Sequence, residues 1–217
     1  MSNLFETIGH LGVVPVIAIN EARHAIALAD ALLEGGLPVA EITFRTAAAA
    51  EAISLMRAER PELITGAGTL LDSASVAAAK VSGARFGLAP GYDPTIVDAC
   101  AKHKLPFAPG VMTPTDVSLA VQRDLRIVKF FPAGIAGGPQ ALRAIHAPFA
   151  HRDIRFIPTG GITLETMGDW LKLPMVLAIG GTWIARTEDI RDGLFKDITR
   201  KAKAAVEAAK RAREHNL

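Results

Sequence analysis

Short apolar runs alternate with longer alanine-rich segments along the whole chain, and this alternation restricts the possible folds more than any other feature of the sequence. Between the runs, apolar residues recur at helical spacing, as in ARHAIALADALLEGG, which we expect to end as a helix at Gly35 and Gly36. The apolar runs predict eight strands, which start at Val13, Val39, Leu63, Arg85, Pro106, Arg126, Arg155 and Met175. Eight strand-then-helix units indicate parallel strands joined by right-handed crossovers.

The number and size of these units favour an α/β fold of the (β/α)8 TIM barrel type, with residues 1–217 forming a single domain. Each unit has roughly 27 residues, near the short end of the range for this fold. A doubly wound open sheet shares the alternation, but its first strand-to-helix turn normally carries a glycine-rich fingerprint, and here that turn reads AINEARH. Residues 2–10 predict a short extra N-terminal helix that would cover the barrel floor. Later helices should begin at capping residues, in the pairs Asp72-Ser73, Asp93-Pro94 and Thr113-Pro114.

Composition argues against several classes of protein. With 50% hydrophobic and 21% charged residues the chain is typical of a globular domain, and no run of 18 uncharged apolar residues predicts a membrane span.

The basic stretch KAKAAVEAAKRAREHNL predicts the solvated face of an amphipathic helix in preference to a nucleic-acid site. The single cysteine, Cys100, excludes an internal disulfide, and its helical context predicts a packed thiol rather than a nucleophile. Because MSNLFETIGHLG has no secretory signal, we expect a cytoplasmic protein.

A lysine interrupts the sixth predicted strand, RIVKFFP, at position 129. An ammonium group removed from water costs several kcal/mol unless another group compensates it, so a purely structural strand would carry Val or Ile there. Apolar surroundings disfavour the ammonium form of a lysine and make the neutral amine available as a nucleophile, which is the requirement for a Schiff base. A buried structural bridge between Lys129 and Glu41 is the alternative interpretation.

Polar residues also gather at the ends of earlier strands. In the second strand, Glu41, Thr43 and Arg45 share one face because side chains two residues apart point the same way. A structural ion pair would explain them, and so would a site for proton transfer and carboxylate binding. The third strand ends in Gly66-Ala67-Gly68-Thr69, which is either a tight strand end or a place for close ligand approach. Pro90, after the fourth strand, is expected to shape the mouth of the barrel.

Glycine pairs follow the last two strands, in Thr159-Gly160-Gly161 and Gly180-Gly181-Thr182. Backbone N–H groups at these two strand ends of a barrel commonly bind phosphate, although tight turns would also use glycine. A nucleophilic amine, a carboxylate, an arginine and a phosphate cradle together indicate a phosphorylated keto-acid substrate that reacts through an imine.

Six spaced motifs make the chain resemble the 2-keto-3-deoxy-6-phosphogluconate (KDPG) aldolases and their 4-hydroxy-2-oxoglutarate aldolase relatives. The motifs are VVPVI, EITFRT, GAGT, KFFPA, PTGGI and IGGTW, in that order between about Val13 and Ile184. The resemblance implies a class I aldolase with no metal or other cofactor, which cleaves KDPG to pyruvate and glyceraldehyde 3-phosphate in the Entner–Doudoroff route. It also implies a homotrimer.

The resemblance assigns roles to individual residues. Lys129 would form the Schiff base, and Glu41 would be the general acid/base. Arg45 would bind the pyruvyl carboxylate with a hydrogen bond from Thr69, and Phe131 would pack near the imine. The other substrate-binding candidates, most of them around the phosphate, are Pro90, Thr159, Gly160, Gly161, Gly181 and Thr182.

Some positions depart from the family pattern. Gly134 stands where the family commonly has Glu after KFFPA, which leaves the preference for the second substrate open. Phe44 and Thr182 replace a usual Leu and Ser, which are milder changes.

Three functions are therefore compatible with the sequence. They are a KDPG-type aldolase, including one for 4-hydroxy-2-oxoglutarate or 2-keto-3-deoxy-6-phosphogalactonate, a barrel isomerase that uses Glu41 as base, and a non-catalytic sugar-phosphate-binding protein.

Overall fold

The computed structural model describes residues 2–214, in which parallel strands alternate with α-helices. The strands are β1 (Val13–Ile17), β2 (Val39–Thr43), β3 (Ile64–Gly68), β4 (Gly87–Leu88), β5 (Phe107–Ala108), β6 (Gly110–Val111), β7 (Ile127–Phe130), β8 (Arg155–Pro158) and β9 (Ile179–Gly181). The α-helices are α1 (Ser2–Leu11), α2 (Ala25–Glu34), α3 (Ala49–Glu59), α4 (Ser73–Val81), α5 (Pro94–Lys102), α6 (Pro114–Gln122), α7 (Gly138–His146), α8 (Met167–Leu171), α9 (Thr187–Arg191) and α10 (Phe195–Glu214). This order confirms the predicted strand-then-helix alternation.

The strands form two parallel sheets, a six-stranded one in the order β5-β4-β3-β2-β1-β9 and a three-stranded one in the order β6-β7-β8. Isolated parallel bridges, Phe156 with Val176 and Thr159 with Gly180, connect β8 to the segment that carries β9. β1, β2 and β3 are buried at every position, as expected for parallel strands covered on both faces. The α/β class with parallel strands is therefore confirmed.

The fifth predicted strand is two strands, because Pro109 separates β5 from β6. Proline has no N–H group and cannot donate to a strand ladder. Its carbonyl still accepts a hydrogen bond of 2.8 Å from the Lys129 N–H. The interruption thus lies beside the residue that the sequence singled out in β7.

Predicted helix boundaries agree with the structure. Gly35 caps α2, and Gly36 adopts a left-handed φ of 71°, which glycine tolerates. At the starts of α4, α5 and α6, side-chain oxygens accept from backbone N–H groups two or three residues later, and the capping residues are Asp72, Asp93 and Thr113.

The terminal helices pack against the body of the domain. The predicted N-terminal helix is present as α1, and its Phe5 ring lies 6.3 Å from that of Phe86, just before β4. Arg213 of α10 donates hydrogen bonds to the carbonyls of Gly9 and Leu177. One face of α10 is buried, which confirms the amphipathic helix, and residues 215–217 of the predicted basic stretch lie outside the described residues. Between residues 2 and 214, no helix is long and apolar enough to cross a membrane.

Candidate active site

The amino group of Lys129 lies 3.0 Å from a carboxylate oxygen of Glu41, and both side chains are buried. Lys129 Nζ donates a hydrogen bond to Glu41 Oε1, and the two side chains are 7% and 2% exposed. Lys129 lies in β7 and Glu41 in β2, so the pair joins the two sheets. The structure brings together the two residues that were predicted to supply the nucleophile and the proton-transfer group.

The strand register places the Lys129 side chain on the same face of the sheet as Thr159, just after β8, and Gly180 in β9. Lys129 pairs with Ile157 in β8, and two residues further on Thr159 forms a bridge with Gly180. Paired residues in neighbouring strands point to the same face, as do residues two apart in one strand. Lys129, Thr159 and Gly180 therefore share one face.

The same face continues to Glu41. Gly180 pairs with Val14 in β1, and Val16, two residues later, pairs with Glu41. The inward direction of Glu41 thus follows from the pairing of five successive strands, from β7 through β8, β9 and β1 to β2.

Two glycines make room for polar side chains of this face. A Cβ atom at Gly68 would overlap Glu41 Oε1 and would lie 2.7 Å from Glu41 Cδ. A Cβ atom at Gly180 would overlap Thr159 Oγ1 in the same way. Both glycines stand out in the sequence, but the role of Gly68 in making room for the carboxylate was not predicted. The available signal was the register of Gly68 opposite Thr43, two residues beyond Glu41.

Arg45 extends from the end of β2 and is exposed. Its Nε donates to Thr43 Oγ1 at 3.1 Å, and Thr43 Oγ1 donates to the Ile17 carbonyl at 2.9 Å. The ion pair of Glu41 in the described chain is with Lys129, so the alternative of a structural Glu41–Arg45 bridge is wrong. The guanidinium of Arg45 keeps donors for an anionic ligand.

Phe131, Thr69 and Pro90 lie at the carboxyl ends of their strands. The Phe131 ring centroid is 5.7 Å from Lys129 Nζ, within the range of a cation–π contact. Thr69 has a φ of 58°, a strained left-handed conformation for a β-branched residue, and such strain concentrates at functional sites. The Pro90 carbonyl lies against Gly110, where a Cβ atom would overlap it.

The turn after β8 depends on glycine. Gly160 and Gly161 have φ values of 97° and 75°, which side-chain-bearing residues rarely adopt. The Gly160 carbonyl accepts from the Gly134 N–H at 2.9 Å, which ties this turn to the loop after β7. Successive N–H groups in such a turn form a backbone arrangement that can bind an anion.

The turn after β9 is less open. A Cβ atom at Gly181 would lie 2.7 Å from the Trp183 ring, so packing alone requires glycine here. Thr182 is exposed and presents a hydroxyl at the strand end. This second half of the predicted cradle therefore offers a side-chain donor in addition to backbone.

Cys100 is a packed thiol, as predicted. It is buried in α5, and burial raises its pKa to about 12, so the reactive thiolate is scarce at neutral pH. Within the described part of the chain, no group of three or more His, Cys, Asp or Glu side chains is placed to hold a metal ion.

Comparison with known proteins gives a consistent result. The model of the KDPG and KHG aldolase family matches residues 5–201. The chain is 40% identical over 207 residues to the 2-dehydro-3-deoxy-phosphogluconate aldolase of Haemophilus influenzae, covering 95% of this chain and 97% of that protein.

Two solved structures are also similar. KDPG aldolase from Legionella pneumophila, with pyruvate captured as a covalent carbinolamine intermediate, is 33% identical with a TM-score of 0.89, covering 94% of this chain and 99% of that one. The 2-keto-3-deoxy-6-phosphogluconate aldolase of Zymomonas mobilis, with 3-phosphoglycerate, is 35% identical with a TM-score of 0.85, covering 94% and 96%.

Proposed function

The chain belongs to the KDPG and KHG aldolase family, and we propose that it is a class I aldolase that reversibly cleaves KDPG to pyruvate and glyceraldehyde 3-phosphate. The observation that carries this proposal is the buried hydrogen bond between Lys129 Nζ and Glu41 Oε1. Transfer of one proton within the pair gives a neutral amine beside a carboxylic acid, which are the nucleophile and the acid that imine formation needs.

The chemistry proceeds through a covalent intermediate on Lys129. The neutral amine adds to the keto carbon C2, and Glu41 protonates the carbinolamine hydroxyl so that it leaves as water. In the resulting protonated imine, removal of the C4 hydroxyl proton by Glu41 breaks the C3–C4 bond. The electron pair of that bond moves into the imine to form an enamine, and the aldehyde leaves. Protonation at C3 and hydrolysis then release pyruvate and restore the lysine.

The other candidate residues bind the two ends of the substrate in this proposal. Arg45 binds the pyruvyl carboxylate, with the Thr69 hydroxyl at the same end, and Phe131 packs against the imine. Pro90 borders the mouth. The phosphate lies against the turns after β8 and β9, at Thr159, Gly160, Gly161, Gly181 and Thr182. Support for this assignment comes from the left-handed conformations of Gly160 and Gly161 in the turn after β8.

The proposal includes a closed (β/α)8 barrel formed by one domain over residues 1–217. Three observations support closure: β5 and β6 are separated by Pro109 alone, the bridges join β8 to the β9 segment, and Lys129 reaches Glu41 across the two sheets. A homotrimer, a cytoplasmic location and the lack of a nucleic-acid partner complete the proposal. A single monomeric species in multi-angle light scattering would remove the trimer.

Trapping with borohydride tests the proposed chemistry. We expect incubation with pyruvate and sodium borohydride, followed by digestion and mass spectrometry, to show a reduced adduct on Lys129. The Lys129→Arg variant should show no adduct and near-complete loss of KDPG cleavage, because a guanidinium cannot form the imine. A folded wild-type protein without an adduct, or an active Lys129→Arg variant, would favour an isomerase that uses Glu41 as base.

Substrate choice within the family needs a separate measurement. We expect kcat/KM for KDPG to exceed that for 4-hydroxy-2-oxoglutarate, because only the former places a phosphate on the glycine turns. The C4 epimer, 2-keto-3-deoxy-6-phosphogalactonate, should be cleaved less efficiently. A preference for 4-hydroxy-2-oxoglutarate would reassign the substrate while leaving the imine chemistry unchanged.

A further inference from the structure

A cavity of about 210 Å³ at the carboxyl end of β1 contains two arginines. Its polar lining consists of Arg45, Thr182, Arg186, Thr187 and Glu188. Arg45 and Thr182 already belong to the proposed site, whereas Arg186 lies outside every motif that the sequence analysis used.

The cavity opens on the same face as the buried ion pair. Val16 lines it and pairs with Glu41, and Arg45 lies in the turn after β2, four residues beyond Glu41. The cavity therefore lies beside the carboxyl ends of β1 and β2, next to the strands that carry Val16 and Glu41.

Arg186 is held at this cavity by its neighbours. Ala185 is buried, and the Thr187 hydroxyl donates to the Ala18 carbonyl at 3.3 Å, which fixes the segment on both sides of Arg186. Arg186 itself is exposed. Over the described residues it has no carboxylate within 4.0 Å, so its guanidinium donors remain available.

The proposed phosphate cradle has no cation of its own. The turns after β8 and β9 offer backbone amides and the Thr182 hydroxyl, whereas a phosphate dianion binds most strongly when a guanidinium donates two parallel hydrogen bonds to it. Two guanidinium groups and one carboxylate, that of Glu188, line the cavity, so its charge favours an anionic ligand. KDPG carries a carboxylate and a phosphate.

On the basis of the proposed function, we infer that Arg186 binds the phosphate of the substrate beside Thr182, while Arg45 holds the pyruvyl carboxylate. Arg186 thereby selects phosphorylated acceptor aldehydes in the synthetic direction. It is a specificity-determining residue and takes no part in proton transfer.

The test compares acceptors in aldol addition to pyruvate. In Arg186→Gln, we expect KM for glyceraldehyde 3-phosphate to rise about tenfold, the loss typical of one charged hydrogen-bonded contact. The kcat/KM for unphosphorylated D-glyceraldehyde and the KM for pyruvate should stay within about twofold of wild type. Arg186→Lys should recover part of the loss. Arg191→Gln, which removes an exposed arginine paired with Asp192 outside the cavity, is the matched control and should behave as wild type.

Each other outcome contradicts the inference in a distinct way. An equal loss of kcat/KM with both acceptors would mean that Arg186 has a structural role. A rise in the KM for pyruvate alone would place Arg186 at the carboxylate end of the substrate. Equal effects in Arg191→Gln would mean that only the positive charge of the protein surface matters. Calorimetric titration with glycerol 3-phosphate requires no turnover and separates this inference from the proposed function. If wild type forms no pyruvate adduct, tenfold weaker glycerol 3-phosphate binding in Arg186→Gln would still support the phosphate contact, and unchanged binding would overturn it.

Discussion

Lys129 and Glu41 meet through one hydrogen bond of 3.0 Å in a place that excludes most water, although they come from different sheets. Two opposite charges buried in this way lose hydration, and this cost can exceed the gain from their attraction. An apolar pair of similar volume would stabilise the fold at least as well. This cost supports the proposal that the pair transfers a proton, over the alternative of a purely structural bridge.

Proton transfer should fail when Glu41 becomes an amide. Glu41→Gln keeps an acceptor oxygen for the lysine but can neither donate nor accept the proton at working pH. We expect kcat for KDPG cleavage to fall about a hundredfold to ten-thousandfold. Steady-state kinetics measure this, with Glu207→Gln on the exposed face of α10 as the control. Activity within tenfold of wild type would remove Glu41 from the proton-transfer role.

The free energy of unfolding should depend on whether one charge of the Lys129–Glu41 pair is removed or both, whereas activity is lost in either case. Lys129→Met leaves a buried carboxylate without its partner, and we expect it to lower the free energy of unfolding by about 3 to 5 kcal/mol. The double variant Lys129→Met/Glu41→Leu removes both charges and should be as stable as wild type or about 1 to 4 kcal/mol more stable, while inactive. Denaturant unfolding of Lys129→Met, Glu41→Leu and the double variant gives the coupling free energy between the two side chains. Additive losses would contradict a buried charge pair.

Gly68 should be required for activity more than for folding. A methyl group at position 68 would occupy the place of Glu41 Oε1 and push the carboxylate away from the lysine. We expect Gly68→Ala to reduce kcat about a hundredfold, the scale associated with a misplacement near 1 Å. Gly168→Ala is the control, because a Cβ there would lie 3.9 Å from its nearest neighbour, Ala212. Wild-type kcat in Gly68→Ala would show that the carboxylate has another place to go.

Cys100 should resist alkylation in the native protein. Burial raises the pKa of its thiol from 9.0 to about 12, so at pH 8 the thiolate is about a thousandfold scarcer than in an ordinary cysteine. We expect iodoacetamide to label it at least about a hundredfold more slowly than in guanidinium-unfolded protein. Mass spectrometry of timed samples measures the ratio. Fast labelling of the native state would mean that α5 opens frequently.

His146 should make the fold less stable in mild acid. Burial lowers the pKa of its imidazole, which packs edge-on against Phe156 at 5.9 Å, from the ordinary value of 6.5. The unfolded chain therefore binds the proton more readily, so this contribution is fully present above pH 6.5 and is lost as pH falls through the lower pKa of the folded state. Denaturant unfolding at a series of pH values should show a smaller slope over this window in His146→Gln. The exposed His151→Gln should retain the wild-type slope.

Periodicity and capping residues predicted most of the fold, because those signals are local. The eight apolar runs, the end of α2 at Gly35 and the start of α4 at Asp72 all follow from residues within one turn of each position. Pro109 was visible in the sequence, but its effect depends on long-range pairing, because β5 pairs with β4 and β6 pairs with β7.

The residues of the candidate site could be predicted from the sequence, but their arrangement could not. Lys129 stood out because a charge in an apolar strand is unusual, and Glu41 because of its strand position. Long-range register decided that Glu41 contacts Lys129 and not Arg45, and no local pattern encodes it. Arg186 could not be found in the same way, because an arginine in a loop is ordinary until the cavity around it is known.

The interruption between β5 and β6 at Pro109 bears on when the candidate active site forms during folding. The carbonyl of Pro109 fixes the backbone of Lys129, and the partner of that lysine lies 88 residues earlier in the chain. Contacts between such distant segments form late, because the intervening chain must first be ordered. On dilution from denaturant, reactivity towards pyruvate should therefore return after secondary structure does. In an incompletely refolded chain Lys129 lacks its contact with Glu41, which forms only when the two sheets have assembled.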